Sequence, residues 1–161
     1  MLPAARQSLI EAVRAQYCLD WDGIHGLAHW VRVRENGQRL AGLTGARADV
    51  VELFAYFHDA CRHNNGHDPK HGARGADLAR NLAGSVFDLD PEGLSLLTEA
   101  CTGHTRGHTV AEITVATCWD ADRLDLARVG KIPRPELLCT DAARDPVIIA
   151  WACGRSQGRR C

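Results

Sequence analysis

Apolar residues along this chain recur every three or four positions and almost nowhere alternate, so the pattern predicts helices joined by polar turns, with no sheet. The first helix spans 3–17, with Leu9, Ile10, Val13 and Tyr17 near helical spacing. A turn over 20–26 leads into a second helix over 25–40, with Leu27, Trp30, Val31 and Leu40 on its apolar side and Gly42 and Gly45 punctuating its end. The third helix, 46–58, has the clearest stripe. Val50, Leu53, Phe54 and Phe57 follow helical spacing, and His58 continues from Phe54 four positions on. Asp68-Pro69 and Asp90-Pro91 each read as a cap followed by proline in the first turn, opening a fourth helix over 69–82 and a fifth that carries Leu94, Leu97 and Cys101. A sixth helix covers 111–129, and one or two closing helices lie within 135–151. Without repeats or a long linker, the 161 residues read as one domain with a motif core over about 25–130.

Composition narrows the partners. With 45% hydrophobic and 24% charged residues, the chain is ordinary for a soluble protein. A net charge of −1 leaves no electrostatic footprint for duplex nucleic acid or an anionic membrane, and the basic stretch 154–160 reads as a frayed end. No apolar run is long enough to cross a bilayer, and the charged first segment is no signal peptide. Seven scattered cysteines without a Cys-x-x-Cys pair point to a reducing, cytoplasmic setting.

The apolar stripe of the third helix runs directly into His58 and Asp59, two side chains costly to bury alone and well matched to a divalent metal. Consecutive helical residues point about 100° apart, so both reach one ion only beside the axis or where the helix ends. Further candidates fall at helix-sized intervals: His29, His71, His104 and Asp122. Asp122 sits amid the sixth helix's face, with Asp120 and Asp125 as competitors that can instead pair Arg123 or Arg128. His71 can equally decorate a helix start and His104 a loop. His25 is either a helix-start residue or a partner behind the ligands. Arg32 reads as a structural partner for a carboxylate, and His63, His67 and His108 as exposed loop residues. The Gly72/Gly75 spacing suits close helix contact, since it lacks the strand-glycine-helix setting of a phosphate loop.

In order, His29-Trp30-Val31-Arg32-Val33, Phe57-His58-Asp59-Ala60 and Ala121-Asp122-Arg123-Leu124 resemble the successive motifs of the HD-domain superfamily of metal-dependent phosphohydrolases. The resemblance implies an all-α, HD-domain/PDEase-like bundle. It implies a metal site of His29, His58, Asp59 and Asp122, with Asp122 favoured over Asp120, and His58 and Asp59 at the centre of catalysis. His71 and His104 lie where two-metal members place extra histidines, and the Asp59 equivalent there bridges the ions. Where some members carry a glutamate as general acid, this chain has Arg62. The expected cofactor is one or two divalent ions (Mn, Mg, Fe, Co or Ni). Such an ion acidifies a bound water and polarises a phosphoryl oxygen. The expected substrate is a small phosphate ester, a nucleotide among the candidates, held by Arg62, Lys70 and Arg106, with Arg74 and Arg123 nearby in sequence. Two alternatives remain: a di-iron oxygenase of the same superfamily, and a regulatory module with a closed structural metal. The sequence carries no signal for oligomeric state.

Overall fold

The computed structural model describes residues 3–158. Eight α-helices follow in order: α1 (Pro3–Arg14), α2 (Leu27–Thr44), α3 (Ala48–Phe57), α4 (His71–Leu82), α5 (Pro91–Gly103), α6 (Ile113–Arg123), α7 (Asp141–Arg144) and α8 (Pro146–Ser156), with 3₁₀ turns at Leu126–Val129 and Pro135–Leu137. Among the described residues the one extended pairing is an isolated bridge of Ala83 with Phe87. No described helix is long and apolar enough to cross a membrane.

The central element is α3. Every residue from Val50 to Phe57 is buried, which is what a helix apolar nearly all round requires. Phe54, Phe57, Val50 and Leu53 form the middle of the main core, with Trp30 and Val33 from α2, Leu97 from α5 and Val115 and Trp119 from α6 packed around them. Each large side chain so buried contributes about 1.5–3 kcal/mol. The one charge on this helix's buried surface, Glu52, accepts from Arg6 Nε at 2.7 Å and Arg34 Nε at 2.9 Å. A smaller core of Leu40, Leu124, Leu138, Ala143, Ile148 and Ala152 ties the C-terminal helices to α2.

Helix α4 lies against α3 and α5 because it is built from small residues. A Cβ on Gly75 would stand 2.2 Å from the Phe57 carbonyl oxygen, and one on Gly72 would stand 2.2 Å from that of Cys101. This close approach, expected from the glycine spacing, sets the histidines at the end of α3, the start of α4 and the end of α5 beside one another.

Several boundaries differ from the sequence expectation. α2 extends to Thr44, so Gly42 lies inside it, and Gly45 alone ends it in the left-handed conformation, φ 76°. The Asp90-Pro91 start is as expected, with the Asp90 carboxylate accepting from Gly93 N. Asp68-Pro69 instead forms a turn before α4 begins at His71, because the Asp68 carboxylate is taken by Arg74 and by His63 N. The sixth helix stops at Arg123 and resumes as a 3₁₀ turn at Leu126–Val129. The stretch expected to be a frayed basic end is helical to Ser156, where Arg155 donates to Asn36 Oδ1 at 3.0 Å and pairs with Glu35. Arg159, Arg160 and Cys161 lie outside the described residues.

Candidate metal centre

α3 ends at Phe57, and the chain turns immediately through His58 and Asp59. Two neighbouring side chains that diverge on a helix therefore turn toward the same space at its end. The first turn of α2 delivers His29, the start of α4 His71, the C-cap of α5 His104, and the last turn of α6 Asp122. All but Asp122 are buried, and the Asp122 side chain keeps 21% of its exposure and so marks the open side.

Asp59 stands between two groups. On its Oδ2 side are His29 Nε2 at 3.8 Å and His58 Nε2 at 3.9 Å; Asp122 Oδ1 is 3.4 Å from His29 Nε2 and 3.8 Å from His58 Nε2. On its Oδ1 side are His71 Nε2 at 3.0 Å and His104 Nε2 at 3.7 Å. In each trio, His29/His58/Asp59 and Asp59/His71/His104, the candidate ligand atoms lie within 4.8 Å of one another. Metal–ligand bonds of about 2.0–2.2 Å place two ligands of one ion up to about 4.4 Å apart, so these separations suit a shared cation.

The hydrogen bonds behind the rings decide what the front atoms offer. His58 Nδ1 donates to the Ala55 carbonyl at 3.1 Å and is 3.2 Å from that of Phe54. His104 Nδ1 donates to Cys101 O at 2.7 Å, and His71 Nδ1 donates to Asp68 O. His29 Nδ1 donates to Asp125 Oδ2 at 2.7 Å. A carbonyl can only accept, so a neutral ring anchored in this way presents a lone pair at Nε2. Yet His29 Nε2 and His58 Nε2 face each other at 3.1 Å, and His71 Nε2 and His104 Nε2 at 2.9 Å. Facing lone pairs make no hydrogen bond; positive charge placed between them, a proton or a metal ion, turns each contact favourable. Imidazoles each backed by an acceptor, set beside carboxylates, are the donor set that metal sites use.

The electrostatics agree. Burial pushes the His58 imidazole down to about 3, holding it neutral as ligation requires. Burial opposes ionisation of Asp59, but protons on the neighbouring rings, as charge at His58 and hydrogen bonds from His104, His25 and His71, outweigh it and hold the carboxyl well below its usual range. Asp122 is likewise penalised by burial and pulled down further by His29 and His58. Burial lowers His29 and His104 too, but carboxylates, Asp122 and Asp125 for the first and Asp59 for the second, overcome it and raise both. The carboxylates of Asp59 and Asp122, both held ionised, are the groups that would draw a cation here.

The structure thus brings together all six expected ligands: His29, His58, Asp59, Asp122, His71 and His104. The competing carboxylates on and after α6 do other work. Asp120 is buried and accepts from Cys139 N at 2.7 Å, Thr140 N at 2.8 Å and Thr140 Oγ1 at 2.8 Å. Asp125 orients His29 and is itself held by Arg32 Nε at 2.7 Å, as expected of Arg32, and by Ser156 Oγ. His25 proves to be a partner behind the ligands, its Nδ1 2.6 Å from Asp59 Oδ2. Of the expected phosphate contacts, Arg62 is buried and turned inward, with Nη1 3.3 Å from Asp59 Oδ1. Lys70 and Arg106 are exposed, and Arg106 lines a cavity of about 540 Å³ with Thr98, Thr102 and His108. His63, His67 and His108 are exposed loop residues as expected.

Two features carry no signal in the sequence. The His29–Asp125 pair joins residues 96 positions apart. The Tyr17 hydroxyl is buried without a hydrogen-bond partner, in a ring cluster with Trp21 and Trp30. Burial, and secondarily the charge of Asp59, raises that phenol to about 12, so it stays a proton donor at neutral pH.

No family model matches the chain, and no curated protein matches it. Among solved structures it resembles a crystal structure from an uncultured Thermotogales bacterium, described as a predicted HD superfamily hydrolase. The two are 27% identical with a TM-score of 0.70, over 91% of this chain and 83% of that one. That likeness, with the helical order and the His/Asp series gathered around the end of α3, gives this chain an HD-domain helical fold.

Proposed function

We propose that this protein is a metal-dependent phosphohydrolase acting on a small phosphate ester. The observation that carries this reading is the pairwise convergence of four anchored imidazole lone pairs on the two oxygens of Asp59. His29, His58, Asp59 and Asp122 would hold a divalent ion, and Asp59, His71 and His104 form a second candidate seat. When bound there, such an ion supplies an acidified water at neutral pH and polarises a phosphoryl oxygen.

The chain's own residues supply the rest. Asp125 and the carbonyls of Ala55, Cys101 and Asp68 fix the ring orientations, so the ligands need little rearrangement on loading. His25 steadies Asp59. Asp122, the exposed member, lies where a substrate would enter. Lys70 and Arg106, both exposed, would receive phosphate oxygens. In the reaction, the bond from phosphorus to the alcohol oxygen breaks, a bond to a water oxygen forms, and the proton leaves with the alcohol. Similarity to a protein described as a predicted HD superfamily hydrolase supports the reaction class.

The test is to strip the protein with chelator, restore Mn, Mg, Fe, Co or Ni singly, and assay a panel of phosphomonoesters, phosphodiesters and nucleotides. Turnover that vanishes on stripping and returns with an ion is expected. Absence of metal-dependent turnover across the panel would overturn the reading.

A further inference from the structure

The second group, around Asp59 Oδ1, differs from the first in one respect. A permanent cation already stands in it. Arg62 Nη1 is 3.3 Å from Asp59 Oδ1 and 3.1 Å from His71 Nε2. Its Nε donates to Asn64 O at 3.2 Å and its Nη2 to Gly66 O at 2.8 Å. The side chain is buried, only 9% exposed. The surrounding loop is shaped to hold it. Gly66 N donates to Asn64 Oδ1 at 2.8 Å, His63 N donates to Asp68 Oδ2 at 2.9 Å, and Arg74 ties Asp68 from the other side. Among the described residues, no guanidinium bonds the first group's ligand atoms His29 Nε2 and His58 Nε2, whose polar partners are each other and the two carboxylates.

We propose that the Arg62 guanidinium takes the place of a second metal ion at Asp59 Oδ1 and His71, so that the protein binds one divalent ion, on the His29/His58/Asp122 side. This rests on the metal reading above and deepens it. A guanidinium keeps its charge at any physiological pH and presents its N–H groups in a rigid fork, so it can satisfy a carboxylate oxygen and an imidazole lone pair together. Asp59 and Asp122 carry two negative charges between them, and Arg62 with one divalent ion already exceeds these by one positive charge. A second divalent ion would sit against Arg62 in a buried site where like charges are poorly screened. Arg62 is thereby a positioning residue that holds Asp59 and sets the metal count.

The experiment titrates Mn²⁺ into the metal-stripped full chain, counts ions per chain by calorimetry and elemental analysis, and records the electron paramagnetic resonance spectrum. Wild type is expected to take one Mn²⁺ with the spectrum of an isolated ion. Arg62→Met, which removes the charge and keeps the bulk, is expected to take two with a spin-coupled spectrum, and Arg62→Lys is expected to stay at one. His71→Ala is expected to keep the single ion with an affinity within about twofold of wild type. Two ions in wild type would overturn the proposal while leaving the metal reading intact. So would an Arg62→Met chain that is folded by circular dichroism yet stays at one, or a His71→Ala chain that loses the ion. If Arg62→Met does not fold, the wild-type count and His71→Ala decide the matter alone. No bound ion in wild type would instead remove the metal reading itself, and this proposal with it.

Discussion

Two carboxylates on one helix, Asp120 and Asp122, stand two positions apart and face opposite kinds of neighbour. Asp120 points to the 138–143 segment, where both oxygens meet donors: two backbone N–H groups and the Thr140 hydroxyl, which also caps α7 by accepting from Ala143 N. Asp122 points to His29 and His58, whose front nitrogens carry lone pairs when the rings are neutral. Burial raises Asp120, and its donors only partly offset this, whereas at Asp122 burial is overcome once those rings carry a proton, through a hydrogen bond from His29 and the charge of His58, and the carboxyl is lowered. Burial alone thus does not mark a functional acid. A carboxylate facing donors is an anchor that is complete in itself, and one facing acceptors is complete only with a cation.

The sharpest break between the two regions comes from Asp59→Asn. An amide keeps the shape but loses the charge and one ligating oxygen, so metal binding and turnover should both fall to background, as elemental analysis and a phosphoester assay would show. Asp125→Asn is next. It weakens the acceptor that orients His29 and should lower metal affinity or activity by about 10–100-fold, the usual cost of losing such a partner. The anchor should respond in the opposite manner. Asp120→Ala strands three buried donors and should lower stability by about 3 kcal/mol in urea unfolding, with the metal count per folded chain unchanged. A drop in metal count in that variant would erase the distinction drawn here. Smallest is Arg106→Ala, an exposed cation worth up to about 1 kcal/mol. It should raise KM for a phosphate ester about 2–5-fold with kcat unchanged.

Much of the site was legible in the sequence because its ligands ride on strongly periodic helices. The stripe Val50, Leu53, Phe54, Phe57 points at His58, and the ordered motifs mark residues 29, 58–59 and 122, which the fold gathers at the end of α3. Legibility failed where a role depends on a partner far along the chain. Asp125 read as a partner for Arg128, and Arg128 Nε does lie 3.7 Å from its Oδ2, yet it is also buried between His29 and Arg32, more than ninety positions away. Arg62 looked like a phosphate ligand, and only the fold shows that its loop supplies the carbonyls that turn it inward. The early stop of α6 was hidden because Leu126 and Val129 keep the helical spacing, while the backbone tightens into a 3₁₀ turn that places Asp125 behind His29.

The account's central claim is that residues 29, 58, 59 and 122 meet around one cation. The most direct test is elemental analysis of the wild-type chain beside His29→Ala and Asp59→Asn, each stripped and then offered Mn, Mg, Fe, Co or Ni. A stoichiometric divalent ion in wild type that is lost in both variants, with helical content preserved, is the predicted result. No stoichiometric ion in wild type, or one retained by both variants, would contradict it.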